Sequence, residues 1–318
     1  MVLLSHRADH FTIDKVVQGV ADAGFLPLRI DTDAYPESCS LSVEASGPVW
    51  FDDGAMAHRL DGARGVWTRR VWPGPHASAS HVHRLACQAA CVEQLTGALL
   101  HVRQARWVNP WAAQVAAESK LLQLREAAKV GLRVPPTLVT NDAREVKAFA
   151  KRHGPLVTKL LVPLSQSMAG DGPFFYTTCV NLKTGAGLEG LKAAPQIFQP
   201  LLEKRSELRV IAVDGALFTG AIDTQSVPHA RLDWRRATSA DSAQWTRAQL
   251  PAGAAAATLK LMRVLGLVYG AFDFIVPKVG APWFLEVNPA GEWGFLERDL
   301  GFPIAAAIAT ALVKEPNA

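Results

Sequence analysis

Apolar positions along the chain switch between two periods. Val2–Ser5 is a short apolar run, Asp14–Ala23 repeats apolar residues three to four apart, Gly24 stops that pattern, and Phe25–Ile30 is apolar again. The opening therefore predicts strand, helix, strand. Short β-like runs follow at Leu41–Val43 and Gly65–Arg70, and a helical period extends from about Ser80 to Leu100. A second helix is predicted from Trp111 to Val130, ended by Gly131, and a capped helix over Arg144–His153. Leu156–Leu161 and Phe174–Val180 read as strands, and the polar, glycine-bearing stretch between them, Ser165–Gly172, as a loop able to close over a ligand. From Gln196 the pattern changes to IFQPLL and then to ELRVIAV and ALFTGAI around an Asp-Gly turn, which predicts an antiparallel hairpin. A helix over Gly253–Leu265, two apolar strands in YGAFDFIVP and PWFLEVNP, and a final helix over Pro303–Val313 complete the reading.

This alternation places the chain in the α/β (α+β) class. At 318 residues, with 49% hydrophobic and 19% charged residues, it exceeds the usual single domain and is folded rather than disordered. Three parts are expected: residues 1–109, 110–195 and 196–318. A net charge of +4 is too weak and too scattered for a nucleic-acid footprint but compatible with an acidic substrate. Four cysteines are too few for a disulfide scaffold, which favours a reducing cytoplasm. The opening residues meet His6, Arg7 and Asp9 before an apolar signal core forms, and Phe302–Val313 is shorter than the ~20 residues that span a bilayer, so no membrane partner is expected.

Candidate chemistry concentrates late in the chain. Asp273 interrupts an apolar strand, while Glu286 and Asn288 stand two apart in another and share a face. Two carboxylates and an amide oxygen are hard donors suited to Mg²⁺, whose shell is completed by water and substrate phosphates. Lys159 lies in the apolar strand LVTKLL and wants an anion or a structural carboxylate as partner. Lys120, on the second predicted helix, is by itself equally compatible with a solvated helix face. Other signals carry less. Gly185–Gly190 matches GxGxxG without a βαβ context, and no GxxxxGK[ST] motif occurs. His83, Cys87 and Cys91 fall on one helix face, which for an alanine-rich helix reads as packing rather than metal binding.

Taken together, Lys120, Lys159, FQPLLEK, ELRV, Asp273 and LEVNP resemble the ATP-grasp superfamily. Within it the chain is similar to microviridin-type, or graspetide, peptide macrocyclases. The likeness extends through WVNPWAAQVAAESK, VPPTLVTND, LDWRR, GLVYGAFDFIV and FLEVNPAGEW, and back to LLSHRADHFTIDKVV in the domain that precedes the ATP-grasp core. The resemblance implies an N-terminal pre-ATP-grasp domain followed by a two-part ATP-grasp fold with ATP between its subdomains. It implies ATP phosphates at Lys120 and Lys159, adenine and ribose around Gln199, Leu201 and Glu203, and Mg²⁺ at Asp273, Glu286 and Asn288. Arg209 would stabilise the transferred phosphoryl group, and Arg235 would act at the reacting centre. The implied activity is ADP-forming ligation: a carboxylate of a precursor peptide with a leader and an acidic core is activated as an acyl phosphate and closed into an ester or amide ring. A homodimer is also implied. Ligases that add amino acids to a protein or metabolite, and nucleotide-binding regulators without turnover, share parts of this pattern. One departure is Glu292, where the family often carries an amide side chain; for the adjacent Trp293 the expectation is core packing.

Overall fold

The computed structural model describes residues 1–74, 80–162, 176–237, 241 and 244–315; the loop expected at Ser165–Gly172 lies outside the described residues. The chain opens with β1 (Val2–Ser5), α1 (Phe11–Asp22) and β2 (Leu28–Asp31). A small antiparallel sheet follows, made of β3 (Ser40–Val43), β4 (Val49–Asp52) and β5 (Ala57–Arg59). Then come β6 (Gly65–Thr68), α2 (His81–Leu100) and β7 (Arg106–Val108). Strands β2-β1-β6-β7 form one parallel sheet. β1 and β6 are buried at every position, which is why they read as continuous apolar runs rather than as alternations.

The single helix expected over Trp111–Val130 is instead two, α3 (Trp111–Ala117) and α4 (Lys120–Lys129). Ser119 takes an extended conformation between them, and its Oγ accepts the Leu122 N–H, so it caps α4. That break puts Lys120 on the first turn of a new helix. Next, β8 (Leu138–Thr140), α5 (Ala143–His153), β9 (Leu156–Leu160), β10 (Thr178–Cys179) and β11 (Gln196–Pro200) build an antiparallel sheet in the order β10-β9-β11-β8. It has a core of its own, with Val146, Phe149, Leu156, Leu191 and Phe198. Glycines 185, 187 and 190 sit in turns with positive φ, with no helix after them.

Residues 201–205 lead into a five-stranded antiparallel sheet, β14-β13-β12-β15-β16, made of β12 (Ser206–Val213), β13 (Ala216–Ile222), β14 (Thr246–Arg247), β15 (Tyr269–Val276) and β16 (Trp283–Asn288). The β12–β13 turn has Asp214 at φ 46° and Gly215 at φ 95°, the two left-handed positions that a two-residue hairpin demands. Three helices, α6 (Ala252–Val264), α7 (Gly294–Leu300) and α8 (Ile304–Val313), pack around this sheet. Period-two alternation divides its faces. Leu208, Val210, Ala212, Phe272 and Phe284 pack on one side with residues of α4 and α6. Ile211, Val213, Tyr269 and Ala271 join Ile304 and Ile308 of α8 and Ile13 and Val16 of α1 on the other. The N-terminal sheet and the C-terminal sheet thus share one core, sealed by α8. Further along that second face, the positions continue as the polar residues Arg209, Glu207 and Asp273, and there the α8 cover ends. No helix among the described residues is long and apolar enough to cross a membrane.

Candidate active site

Strand register assembles the charged centre. Arg209 on β12 pairs directly with Asp273 on β15, and Asp273 pairs with Glu286 on β16, so three ionisable residues form one cross-strand row. A register shift between Asp273 and Phe274 marks a β-bulge at the row, the kind of irregularity that re-aims a side chain beside a site. Arg209 Nη1 donates to both Asp273 oxygens, at 2.9 and 3.0 Å, and its Nη2 donates to the Glu292 carbonyl at 2.9 Å. Glu207, on the same face of β12 as Arg209, pairs instead with Lys204 at 2.7 Å. Lys120 Nζ donates to Glu286 Oε2, and Lys159 Nζ approaches the same oxygen at 3.7 Å. Neither lysine is therefore a freely solvated cation.

The row opens onto a cavity of about 640 Å³ between the 138–200 sheet and the five-stranded sheet. Lys159, Gln199, Leu201, Glu203, Arg235, Asp273 and Glu286 line it. Apolar surface comes from Val157, Ile275 and Leu285. Lys120, Arg209 and Asn288 are not part of the lining. Lys120 and Arg209 reach the lining carboxylates from the side, whereas Asn288 is exposed and its Oδ1 accepts the Ala290 N–H at 3.0 Å. Gln199 is buried and its Nε2 donates to Thr137 Oγ1 at 2.9 Å. Arg235 sits on a single 3₁₀ turn, Trp234–Arg236, with its Nε 2.7 Å from Asp233. Asp233, its partner, is buried and lines the same cavity.

The local field separates the two carboxylates. Burial opposes ionisation of Glu286, but Lys159, Lys120 and Arg235 outweigh it and hold Glu286 well below the usual carboxylate range. Burial pushes Asp273 up against the pull of Arg209, with Glu286 adding repulsion. Burial lowers Lys159, Glu286 resists that shift, and Lys120 reinforces it. Four cations, Lys120, Lys159, Arg209 and Arg235, meet three carboxylates, Asp273, Glu286 and Asp233. Arg209 Nε is buried without a hydrogen-bond partner among the described residues. Excess positive charge beside paired hard oxygen donors fits a polyphosphate carrying a divalent cation.

Sequence reasoning missed several members of this site. Asp233 lies two residues before Arg235 in the DWRR motif, so the pair was within reach of a closer reading. Lys204 and Glu207, three apart, gave only a weak signal. Burial pushes Glu207 up to about 7 from an ordinary 4.5, with Lys204 opposing and Asp233 and Asp273 adding to the rise. Because the folded pKa exceeds the unfolded one, stability is fully present below about pH 4.5 and declines as pH climbs through about 7. That gap corresponds to about 3 kcal/mol. In urea denaturation at a series of pH values, the stability of the wild type minus that of Glu207→Gln should fall by about this amount between pH 4.5 and 8. A difference independent of pH would contradict the assignment.

Glu292 has a structural task. Its Oε1 accepts the Trp293 and Gly294 N–H groups at 3.0 and 2.6 Å, opening α7, and its Oε2 meets Arg69. Trp293 is fully buried in the shared core. Cys91 of the helix-face trio is buried, Cys87 partly so, and His83 is exposed and meets Ser80. Among the described residues no cluster of three His, Cys, Asp or Glu side chains is arranged to hold a metal, so a cation here would rest on the two carboxylates of the row together with other oxygen donors.

Residues 1–115 match the family model described as the MvdD pre-ATP grasp domain. Comparison with curated protein sequences gives no match. Among solved structures, macrocyclase MdnB from Microcystis aeruginosa MRC is 36% identical, with 98% of each chain covered and a TM-score of 0.82. Macrocyclase MdnC from the same organism, bound with precursor peptide MdnA, is 31% identical, again with 98% of each chain covered, at a TM-score of 0.86. A RiPP-associated ATP-grasp ligase from Chryseobacterium gregarium, in complex with ADP and a leader and core peptide, is 27% identical over 98% of this chain and 95% of that one, at a TM-score of 0.83. With a shared fold from end to end and identity above 30% to two macrocyclases, the chain belongs to the RiPP ATP-grasp macrocyclase family of ligases.

Proposed function

We propose that the protein binds Mg·ATP in the cavity between its two antiparallel sheets and uses it to close ester or amide rings in a ribosomally made precursor peptide. The observation that carries this reading is the cross-strand row Arg209–Asp273–Glu286 facing Lys120 and Lys159 at the cavity wall. Support also comes from MdnC, bound with a precursor peptide, and from the ligase in complex with ADP and a leader and core peptide. Because β11 is hydrogen-bonded into the 138–200 sheet, we place the exchange between the two ligase subdomains in the 201–205 connection.

Lys120 and Lys159 crowd one Glu286 oxygen, and phosphate oxygens would give both ammonium groups a richer acceptor. Gln199, Leu201 and Glu203, with the apolar surface of Val157 and Ile275, are assigned to the nucleoside. Asp273, Glu286 and Asn288 would hold the magnesium ion, which supplies charge to offset the phosphates. Arg209, pinned at both ends of its guanidinium, is assigned to the charge that spreads over the equatorial oxygens during phosphoryl transfer. An Asp or Glu carboxylate of the peptide attacks the γ-phosphorus and ADP leaves. A Ser or Thr hydroxyl, or a Lys amine, then attacks the acyl carbon, loses its proton and expels phosphate. Arg235 is assigned to the substrate carboxylate or its acyl phosphate. The free cysteines Cys39, Cys87, Cys91 and Cys179 are consistent with a cytoplasmic setting.

The test is incubation of the protein, ATP and Mg²⁺ with a peptide encoded beside its gene. The expected product has lost one water per ring, with ADP and phosphate released in step. A mass gain would identify an amino-acid-adding ligase instead, and an absence of ATP turnover would leave a nucleotide-binding regulator.

A further inference from the structure

The segment that follows the Asn288 position is held in an unusual way. Each of four consecutive carbonyls, from Pro289 to Glu292, accepts a hydrogen bond from a side chain elsewhere in the molecule. Asn109 Nδ2 donates to Pro289 O at 2.9 Å, and Arg70 Nη1 donates to Ala290 O at 2.5 Å. Gly291 O receives both Arg69 Nη1, at 3.2 Å, and the Tyr269 hydroxyl, at 2.7 Å. Glu292 O receives Arg209 Nη2 at 2.9 Å. Arg69 is the centre of this clamp. Its side chain is 1% exposed, its Nε is held by Asp9 at 2.5 Å, and its Nη2 meets the Glu292 carboxylate. Asp9 is fixed in turn by Ser5 at 2.7 Å and by Thr12. Arg69, Arg70, Asp9, Ser5 and Thr12 all come from the N-terminal part of the chain, which contributes no residue to the cavity lining.

A buried arginine spread over two carboxylates and a carbonyl is rigid, and charge-assisted bonds of this kind are the strong ones. The clamp fixes the backbone on which Asn288 ends and which receives the Arg209 guanidinium. Partners of ligating and catalytic groups typically change metal affinity or activity about 10–100-fold when removed. From this geometry we infer that Arg69 is a positioning residue of the nucleotide–metal site, acting through the 289–292 backbone on Asn288 and Arg209. The inference rests on the assignment of Asn288 and Arg209 made above.

The experiment compares wild type, Arg69→Gln, Tyr269→Phe and Asp214→Asn as full-length proteins. Asp214 ties Arg106 of β7 and Lys314 to the β12–β13 turn, at 3.1 Å in the case of Arg106, and touches no part of the clamp. Asparagine removes the charge that ties the two ends of the chain together here and tolerates the positive φ. Mg²⁺ affinity is read by calorimetry with ADP present, ADP affinity is read without Mg²⁺, and ATP turnover is followed as kcat and KM. For Arg69→Gln, Mg²⁺ affinity and kcat should each fall about 10-fold or more, with ADP affinity and the KM for ATP within about twofold of wild type. The kcat losses of Arg69→Gln and Arg209→Lys should also combine to less than their product, because both act through one backbone segment. Asp214→Asn should change neither Mg²⁺ affinity nor kcat. Should Arg69→Gln fail to fold, Tyr269→Phe, which removes a single donor to Gly291, is expected to show the same pattern in weaker form. Wild-type Mg²⁺ affinity and kcat in a folded Arg69→Gln protein, or an equal loss in Asp214→Asn, would overturn the inference. Failure of the wild type to bind Mg·ADP at all would instead strike the proposed function.

Discussion

Asp273→Asn is expected to cut ATP turnover by on the order of 10²–10³-fold or more while leaving a folded protein. Asparagine keeps the shape and one acceptor oxygen for Arg209 but removes the charge that both the guanidinium and a bound cation require. The choice of substitution matters. Arg209 is 7% exposed at its side chain and Asp273 is its carboxylate partner. Asp273→Ala would strand a buried cation, a loss of about 3–5 kcal/mol, and would confuse catalysis with stability. Phosphate release, read alongside thermal melting, separates the two effects. Turnover within tenfold of wild type in a folded Asp273→Asn protein would remove the metal assignment.

Gly291→Ala is expected to damage both stability and turnover. A Cβ on this residue would sit 2.5 Å from Ala271 Cβ, 2.8 Å from Arg209 Nη2 and 3.1 Å from Asn288 Cβ. Ala271 is on β15, between β12 and β16, and cannot retreat without disturbing two ladders. The 289–292 segment must move instead, and it carries the acceptor for Arg209 with it. Overpacking of this kind costs about 1–3 kcal/mol, which for a chain of this size lowers the melting temperature by roughly 1–5 °C. The kcat should fall with the geometry of Arg209. A Gly291→Ala protein that melts and turns over like wild type would mean that the segment is free to shift, and the clamp would lose its importance.

The elements that sequence patterning located well were those with a strong period. The Asp214-Gly215 hairpin, the helix α5 and the apolar strand that contains Asp273 depend on local chemistry: positive-φ turn residues, an Asp142 cap and a continuous apolar run. The break between α3 and α4 was hidden, because the helical period of apolar residues runs on through Glu118 and Ser119 while the Ser119 cap restarts the helix. The Gln196–Pro200 strand shows the same limit. Its partners, β8 and β9, lie well before it in the chain, so its pairing is not written in its own residues.

The candidate site divides in the same way. Lys159, Asp273 and Glu286 stood out because a charge inside an apolar strand is costly and demands a partner. Asp9, Arg69 and Tyr269 gave no such signal. Each is an unremarkable residue in its own segment, and its meaning comes from groups as far as 223 positions away, the separation of Arg69 and Glu292.

What the sequence determined by itself is the chemistry present: hard oxygen donors on two late strands, lysines in earlier elements, and the apolar runs that mark buried strands. Only the tertiary structure decided the company each residue keeps. Register across β12, β15 and β16 set Arg209, Asp273 and Glu286 side by side, and packing of the N-terminal residues against α7 and α8 brought Arg69 onto the 289–292 backbone. The physical reason is that periodicity is a local property, read over a few residues. Strand register and domain packing are set by the summed burial of side chains that lie far apart along the chain.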